Sequence, residues 1–349
     1  MGLPQIIINF RTAGSSAVRR SARGQAVLLA EGEKAELYSF SEAEQAESAG
    51  LAEGCRRLLQ LCFLGGPAKV LLYLYPKGEE TAALARCAPA AEGGWLCAPQ
   101  MDAQTVTAFV KSKRAEGRPL RAVVSSETGP DCAGIVNLTT QGITVLLEGK
   151  TESVDTADYC ARIAGILAGL SLRESATYYP LPEVTGFVSS QDEEADIAAG
   201  RLILDQGSEG ARIARAVTSL TTLSQPGDSA FQKIKIAEGV DLIRADIRSV
   251  FESEYVGKVL NDYDSKLLLV TAINSYFAGL EGSVLDTGRR NTAAVDFEAQ
   301  KHWLEGRGVD TAALSDTAIL SANTGSQVFL RANLRFADAM EDLTFEISM

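Results

Sequence analysis

The run Lys69–Tyr75, KVLLYLY, constrains the fold of this chain most. A strand sends successive side chains to opposite sides of its sheet, so a nearly continuous apolar strand closed by Pro76 reads as one covered on both faces. The neighbouring sequence supplies the cover. Gln25–Ala30 and Ala35–Phe40 read as further strands, and Leu51–Leu64 places Leu51, Cys55, Leu58, Leu59, Cys62 and Phe63 at helical spacing before Gly65-Gly66-Pro67 ends the helix. Helices near Glu79–Cys87 and Ala103–Ala115 and a strand at Leu120–Ser125 continue the alternation. Ala133–Leu138 and Gly142–Leu147 read as a strand pair joined by Thr139–Gln141. Strands interleaved with helices predict an α/β layer around a mixed, mostly parallel sheet.

The next helix, about Asp155–Leu170, has little side-chain bulk on the face of Ala161, Gly165, Ala168 and Gly169. Glycine costs about 1 kcal/mol against alanine inside a helix, so two of them imply a neighbour packed very close. Tyr178–Thr185, with two prolines, marks the expected boundary between an α/β domain over 23–182 and a helix-rich α+β domain over 183–349. In the second part, Asp192–Ala199 reads as a short helix, and Arg201–Asp205 and Ala211–Leu220 as strands. Lys233–Glu252, Ser265–Leu280 and Ala293–Leu304 read as helices, the first with Ile236, Val240, Ile243, Ile247 and Val250 as a seam for packing within the chain.

Both ends of the chain carry strand signals. Val328, Leu330, Ala332, Leu334 and Phe336 alternate with polar residues, and after a polar interruption at Asp338–Asp342 the alternation resumes with Leu343, Phe345, Ile347 and Met349. The chain is therefore expected to end inside a strand. At the other end, Leu3, Ile6, Ile7, Ile8 and Phe10 form a short apolar run ahead of an extended arm that reaches residue 22. Amphipathic strands at chain ends either pair within their own domain or join the sheet of another subunit.

Recognisable reaction chemistry is sparse. His302 is the one histidine, so a Ser-His-Asp triad would have to run through it, and it cannot assemble a His-rich metal site. Neither a G-x-G-x-x-G fingerprint nor a P-loop occurs. The six cysteines form no C-x-x-C pair and read as buried, reduced thiols rather than a disulfide framework or a zinc site. Asp192, Glu193 and Glu194 sit at a helix start, where acids complement the dipole. The expectation is no catalytic residue, no cofactor and no metal. An α/β enzyme working with Asp and Glu alone stays as the alternative. With 33 basic and 45 acidic residues the formal charge is -12, which makes nucleic acid a poor partner. No apolar run approaches the ~20 residues that span a bilayer, and no signal peptide leads the chain, so the expected compartment is the cytoplasm. The turn Thr287-Gly288-Arg289-Arg290 offers two cations to solvent or to an acidic partner.

Taken together, the N-terminal arm, Ala161–Gly169 (ARIAGILAG), Ser175–Pro180 (SATYYP), Tyr255–Asp264 (YVGKVLNDYD) and the ending with Met340-Glu341-Asp342 before the last strand resemble the tail sheath proteins of contractile bacteriophages and phage-tail-like bacteriocins. The likeness covers nearly the whole chain. It implies a non-enzymatic virion structural protein with a subtilisin-like α/β domain that lacks a catalytic set. It also implies stacked hexameric rings around an inner tail tube, contraction that drives the tube through a cell envelope, and partners in the tube, baseplate and tail terminator proteins. By the same resemblance the particle assembles in the host bacterial cytoplasm without inserting in a membrane. Leu3, Ile6, Ile7, Ile8 and Phe10 would form one intersubunit arm, Leu343, Phe345 and Ile347 (within about 340–349) the other, and Arg289 and Arg290 would face the tube.

Overall fold

The computed structural model describes residues 24–225 and 227–348. Among these, the chain forms two compact units: a larger one of residues 24–245 together with 338–348, and a smaller one, Asp246–Ala337, inserted between those stretches.

In the larger unit the strands are β1 (Gln25–Glu31), β2 (Glu36–Phe40), β3 (Lys69–Tyr75), β4 (Trp95–Cys97), β5 (Ala122–Val124), β6 (Ile135–Leu138), β7 (Ile143–Leu147), β8 (Lys150–Val154), β9 (Val184–Gly186), β10 (Arg201–Leu202), β11 (Leu204–Gly207) and β12 (Gly210–Ile213). Its helices are α1 (Glu44–Ser48), α2 (Glu53–Phe63), α3 (Glu80–Ala91), α4 (Ala103–Ala115), α5 (Thr156–Gly169) and α6 (Glu193–Ala198), and α7 (Ile234–Val250) starts here and ends in the smaller unit. Seven strands form one mixed sheet in the order β10-β6-β5-β4-β1-β3-β2, with β2 antiparallel at one edge and the other neighbours parallel.

Strand β1 shows how the sequence sets this arrangement. Ala26, Leu28 and Ala30 fall on one face, Val27 and Leu29 on the other, and all five are fully buried. The first face packs with Leu58, Leu59 and Cys62 of α2 and Ile163 and Ile166 of α5. The second packs with Leu84 and Cys87 of α3 and Val106 and Val110 of α4. The α/β class and the covered strand expected at Lys69–Tyr75 are both observed.

The glycine face of α5 meets the end of α2. A Cβ at Gly165 would lie 2.0 Å from the Cys62 carbonyl oxygen, and one at Gly169 would lie 2.2 Å from the Gly65 oxygen. Backbone therefore packs on backbone, which only residues without a side chain allow. The six cysteines are free and buried, and burial pushes the Cys62 thiol up to about 12.

One expectation for this unit is corrected. Strand β6 pairs with β5 and β10 in the main sheet, and the hairpin is β7–β8. Its two-residue turn is Glu148 at φ 50° and Gly149 at φ 78°, the left-handed pair that matches the twist of flanking strands. The segment Tyr178–Thr185, with its two prolines, lies inside the larger compact unit. Tyr178 N–H donates to Ile213 O (2.8 Å) and Leu181 N–H to Ala211 O (2.9 Å), so this segment lines the edge of β12 inside the larger unit.

The smaller unit holds the end of α7, α8 (Tyr263–Leu280), β13 (Thr292–Val295), α9 (Phe297–Glu305), α10 (Asp316–Ser321) and β14 (Leu330–Asn333), with β13 and β14 antiparallel. Leu269, Ile273, Phe277, Leu285, Val295, Leu304 and Ile319 are buried within it. Lys266 is buried too, its Nζ donating to Gln300 Oε1 (3.2 Å), Ala322 O (3.3 Å) and Thr324 Oγ1 (3.1 Å). Burial among these neutral acceptors lowers its pKa. The helix expected from Ala293 starts later, because Asp296 caps it by accepting from Ala299 N–H at 3.1 Å, and Thr292–Val295 pair with β14 instead.

Candidate assembly site at the C-terminal tail

The expected C-terminal strand is not formed within this chain. Residues 337–348 lie in no strand, and Leu343, Phe345 and Ile347 are 88%, 75% and 75% exposed. An alternating apolar face that its own subunit leaves in water lacks the sheet that would make it a strand. The preceding strand is also shorter than its pattern, with only β14 (Leu330–Asn333) paired and Phe336 bridged to Leu285.

Immediately before the tail, the stretch read as a polar interruption is fastened to the larger unit. Glu341 Oε1 accepts from Ser175 Oγ (2.8 Å) and Thr177 Oγ1 (2.7 Å), and its Oε2 lies 3.4 Å from Arg215 and 3.6 Å from Lys233. Asp342 pairs with Arg215 at 2.5 Å, and Asp338 with Lys233 at 2.5 Å. The hydrogen bond from Arg215 to Asp342 leads the causes that raise the arginine's pKa. For Lys233, burial acts to lower the pKa, but the hydrogen bond and charge of Asp338, with the charge of Glu341, overcome it and raise the value. This clasp fixes the point at which the tail leaves the body.

The floor beneath the clasp is itself ordered. Thr177 Oγ1 accepts from Ala216 N–H at 3.0 Å. Tyr178 takes the left-handed region at φ 58°, unusual for a residue with a side chain, and its ring lies 3.6 Å beneath the Arg212 guanidinium. Asp205 holds that guanidinium at 2.7 and 2.9 Å. Deeper still, Arg162 and Glu183 form a buried ion pair at 2.6 Å, joined by the Tyr159 hydroxyl at 2.7 Å from the same carboxylate. Nothing in the sequence signals the clasp except the two segments it joins, Ser175–Pro180 and Met340–Asp342, which carry part of the family likeness.

Arg289 and Arg290 are exposed on a turn of the smaller unit. Buried Asn291 shapes that turn, its Nδ2 donating to Glu281 Oε1 (3.1 Å), Asp286 O (2.9 Å) and Arg289 O (3.3 Å) while its Oδ1 accepts from Arg335 N–H (2.9 Å). Leu3, Ile6, Ile7, Ile8 and Phe10 lie outside the described residues.

In an open parallel sheet a ligand sits past the carboxyl ends of the strands where the order reverses, here between β1 and β4. Near the carboxyl end of β1, Gln100 Oε1 accepts from Glu31 N–H at 2.6 Å. The nearby cavity lined by Pro99, Val124 and Cys160 measures about 20 Å³, room for one water. His302 is exposed on α9. Asp192 caps α6 through Ala195 N–H at 3.0 Å.

In fold and in sequence, this two-unit α/β protein with a fastened but uncovered apolar tail is similar to the contractile-tail sheath proteins. Residues 227–349 match the phage tail sheath C-terminal domain. Over its whole length the chain is 29% identical to the tail sheath protein of Clostridium phage phiCD119, of which the alignment covers 99%. Among solved structures it is similar to the helical sheath of the anti-feeding prophage in its contracted state, with a TM-score of 0.66 at 13% identity, covering 93% of this chain and 92% of that one. It is likewise similar to a sheath tail protein from Desulfitobacterium hafniense, with a TM-score of 0.64 at 16% identity, covering 78% and 90%.

Proposed function

We propose that this protein is the structural subunit of a contractile tail sheath. It polymerises around an inner tail tube as stacked hexameric rings and contracts to drive the tube through a target cell envelope. The observation that carries the reading is the tail, three large apolar side chains in strict alternation held out in water beyond a fastened base. In this reading Leu343, Phe345 and Ile347 add a strand to the sheet of a neighbouring subunit, Leu3, Ile6, Ile7, Ile8 and Phe10 do the same from the other end, and Arg289 and Arg290 face the tube. Subunits assemble in the bacterial cytoplasm and meet the tube, baseplate and terminator proteins there.

The energetics favour a lattice over a dimer. Burying the three side chains gains roughly 1.5–3 kcal/mol each, with about 0.5–1.5 kcal/mol for each backbone hydrogen bond. Ordering the tail costs about 1–2 kcal/mol per residue. One tail is near balance, whereas a subunit held by several neighbours stays in place through multivalency.

The test is the double substitution Phe345→Asp, Ile347→Asp. Charges entering an apolar strand contact cost several kcal/mol even after relaxation, yet both side chains are exposed in the subunit. The expected outcome is an unchanged melting temperature with loss of sedimenting tubes. Normal tubes, or a subunit that unfolds outright, would refute the reading.

A further inference from the structure

We propose that the clasp sets the register in which the tail is offered to a second copy of this chain, with Glu341 and Arg215 as positioning residues. The proposal rests on the sheath-subunit reading and adds a device to it. In a strand the side chains alternate with a period of two, so a slip of one residue exchanges the whole apolar face for the polar one. For this tail a slip would put Thr344, Glu346 and Ser348 where Leu343, Phe345 and Ile347 belong. Short strands added from outside are prone to that error, because neighbouring registers offer similar numbers of backbone hydrogen bonds.

The clasp is built to remove the freedom that permits a slip. Its acids stand at 338, 341 and 342, so the segment is held at its start and at its last residue before the tail. The Glu341 carboxylate takes partners from three separate stretches: Ser175 and Thr177, then Arg215, then Lys233. Asp342, directly before Leu343, takes Arg215. The clasp contacts therefore stop at Asp342, directly before the alternation begins, and the tail starts from a point fixed on the body. A chain that only needed tying down would be served by a single pair anywhere along the segment.

The experiment uses the full-length subunit carrying Glu341→Gln or Arg215→Met, with Arg215→Lys as the conservative control. Each is combined in turn with Phe345→Cys or Glu346→Cys as a labelling site, the native thiols being buried. Read-outs are the subunit melting temperature, the critical concentration for tube formation and maleimide labelling of assembled tubes. The expected result is an unchanged melting temperature and a critical concentration at least tenfold higher for the Gln and Met variants, with Arg215→Lys near the parent. Parent tubes label at Glu346→Cys and are protected at Phe345→Cys, whereas tubes of the Gln and Met variants label at both.

Variants that assemble at the parent concentration with the parent labelling contrast would overturn the proposal. So would a fall in melting temperature matching the loss of assembly, which would make the clasp a structural staple. The tail double substitution keeps the two readings apart. If it still assembles, the tail is not the joining element. If it fails while the clasp variants behave like the parent, the clasp proposal alone falls.

Discussion

Replacing Gly165 by alanine sets two well-characterised effects against each other. On propensity alone, alanine in a helix interior gains about 1 kcal/mol over glycine. The new Cβ, however, would lie 2.0 Å from the Cys62 carbonyl oxygen and 2.8 Å from its carbonyl carbon. The obstacle is main chain near the end of α2, not the tip of a flexible side chain, so relief requires moving one helix away from the other. Overpacking a close-packed core costs typically 1–3 kcal/mol, and a backbone collision belongs at the upper end. The net expectation is a loss of about 2 kcal/mol. Gly54 on α2 is the internal control, since a Cβ there meets nothing within 4 Å and Gly54→Ala should stabilise by up to about 1 kcal/mol. Urea denaturation followed by far-ultraviolet circular dichroism reads both changes as shifts of midpoint at constant slope. If Gly165→Ala stabilises the protein as Gly54→Ala does, the close contact between α5 and the end of α2 is not present in solution.

Two further outcomes test the buried charges. Arg162→Met leaves the Glu183 carboxylate buried with only the Tyr159 hydroxyl as a side-chain donor and should cost about 3–5 kcal/mol. Adding Glu183→Gln should recover most of that in equilibrium unfolding, and no recovery would show that the charge pair is not the cause. For Lys266, burial lowers the pKa in the folded state. Between that lowered value and about 10.4 in the unfolded chain, the unfolded state binds more protons, so stability rises with pH across this window. Lys266→Met removes the titration, and a pH series of denaturation midpoints that keeps its slope in the variant would refute the assignment.

What was legible in the sequence was what repeats locally. The apolar runs of β1 and β3 state their own burial on two faces, and the small residues at 161, 165, 168 and 169 announce a close neighbour without naming it. Pairings decided at a distance were not legible. Strand β6 reads as half of a hairpin because Gly142 follows closely, but its partners β5 and β10 are chosen by the sheet. Val295 fits a helical pattern until the Asp296 cap ends that option. The clasp is the furthest case, since Ser175 and Glu341 are polar residues in unremarkable loops, 166 positions apart, and hydrogen-bond partners leave no periodic trace. The tail reads as an alternating strand, and the subunit by itself forms none there, because alternation records which face wants burial and not whose sheet provides it.

The connectivity of the chain also decides how mechanical load would travel. The tail follows the smaller unit in sequence with only Asp338–Asp342 between them, yet those residues are fastened to Arg215, Lys233, Ser175 and Thr177 of the larger unit. If a neighbour holds the tail as proposed, tension on it would be delivered to the larger unit at the clasp before it could reach β14. The larger unit, whose loops carry those four residues, would then bear the pull. The smaller unit would be bypassed, and its β13–β14 pair spared the stretching that its place in the sequence would otherwise impose.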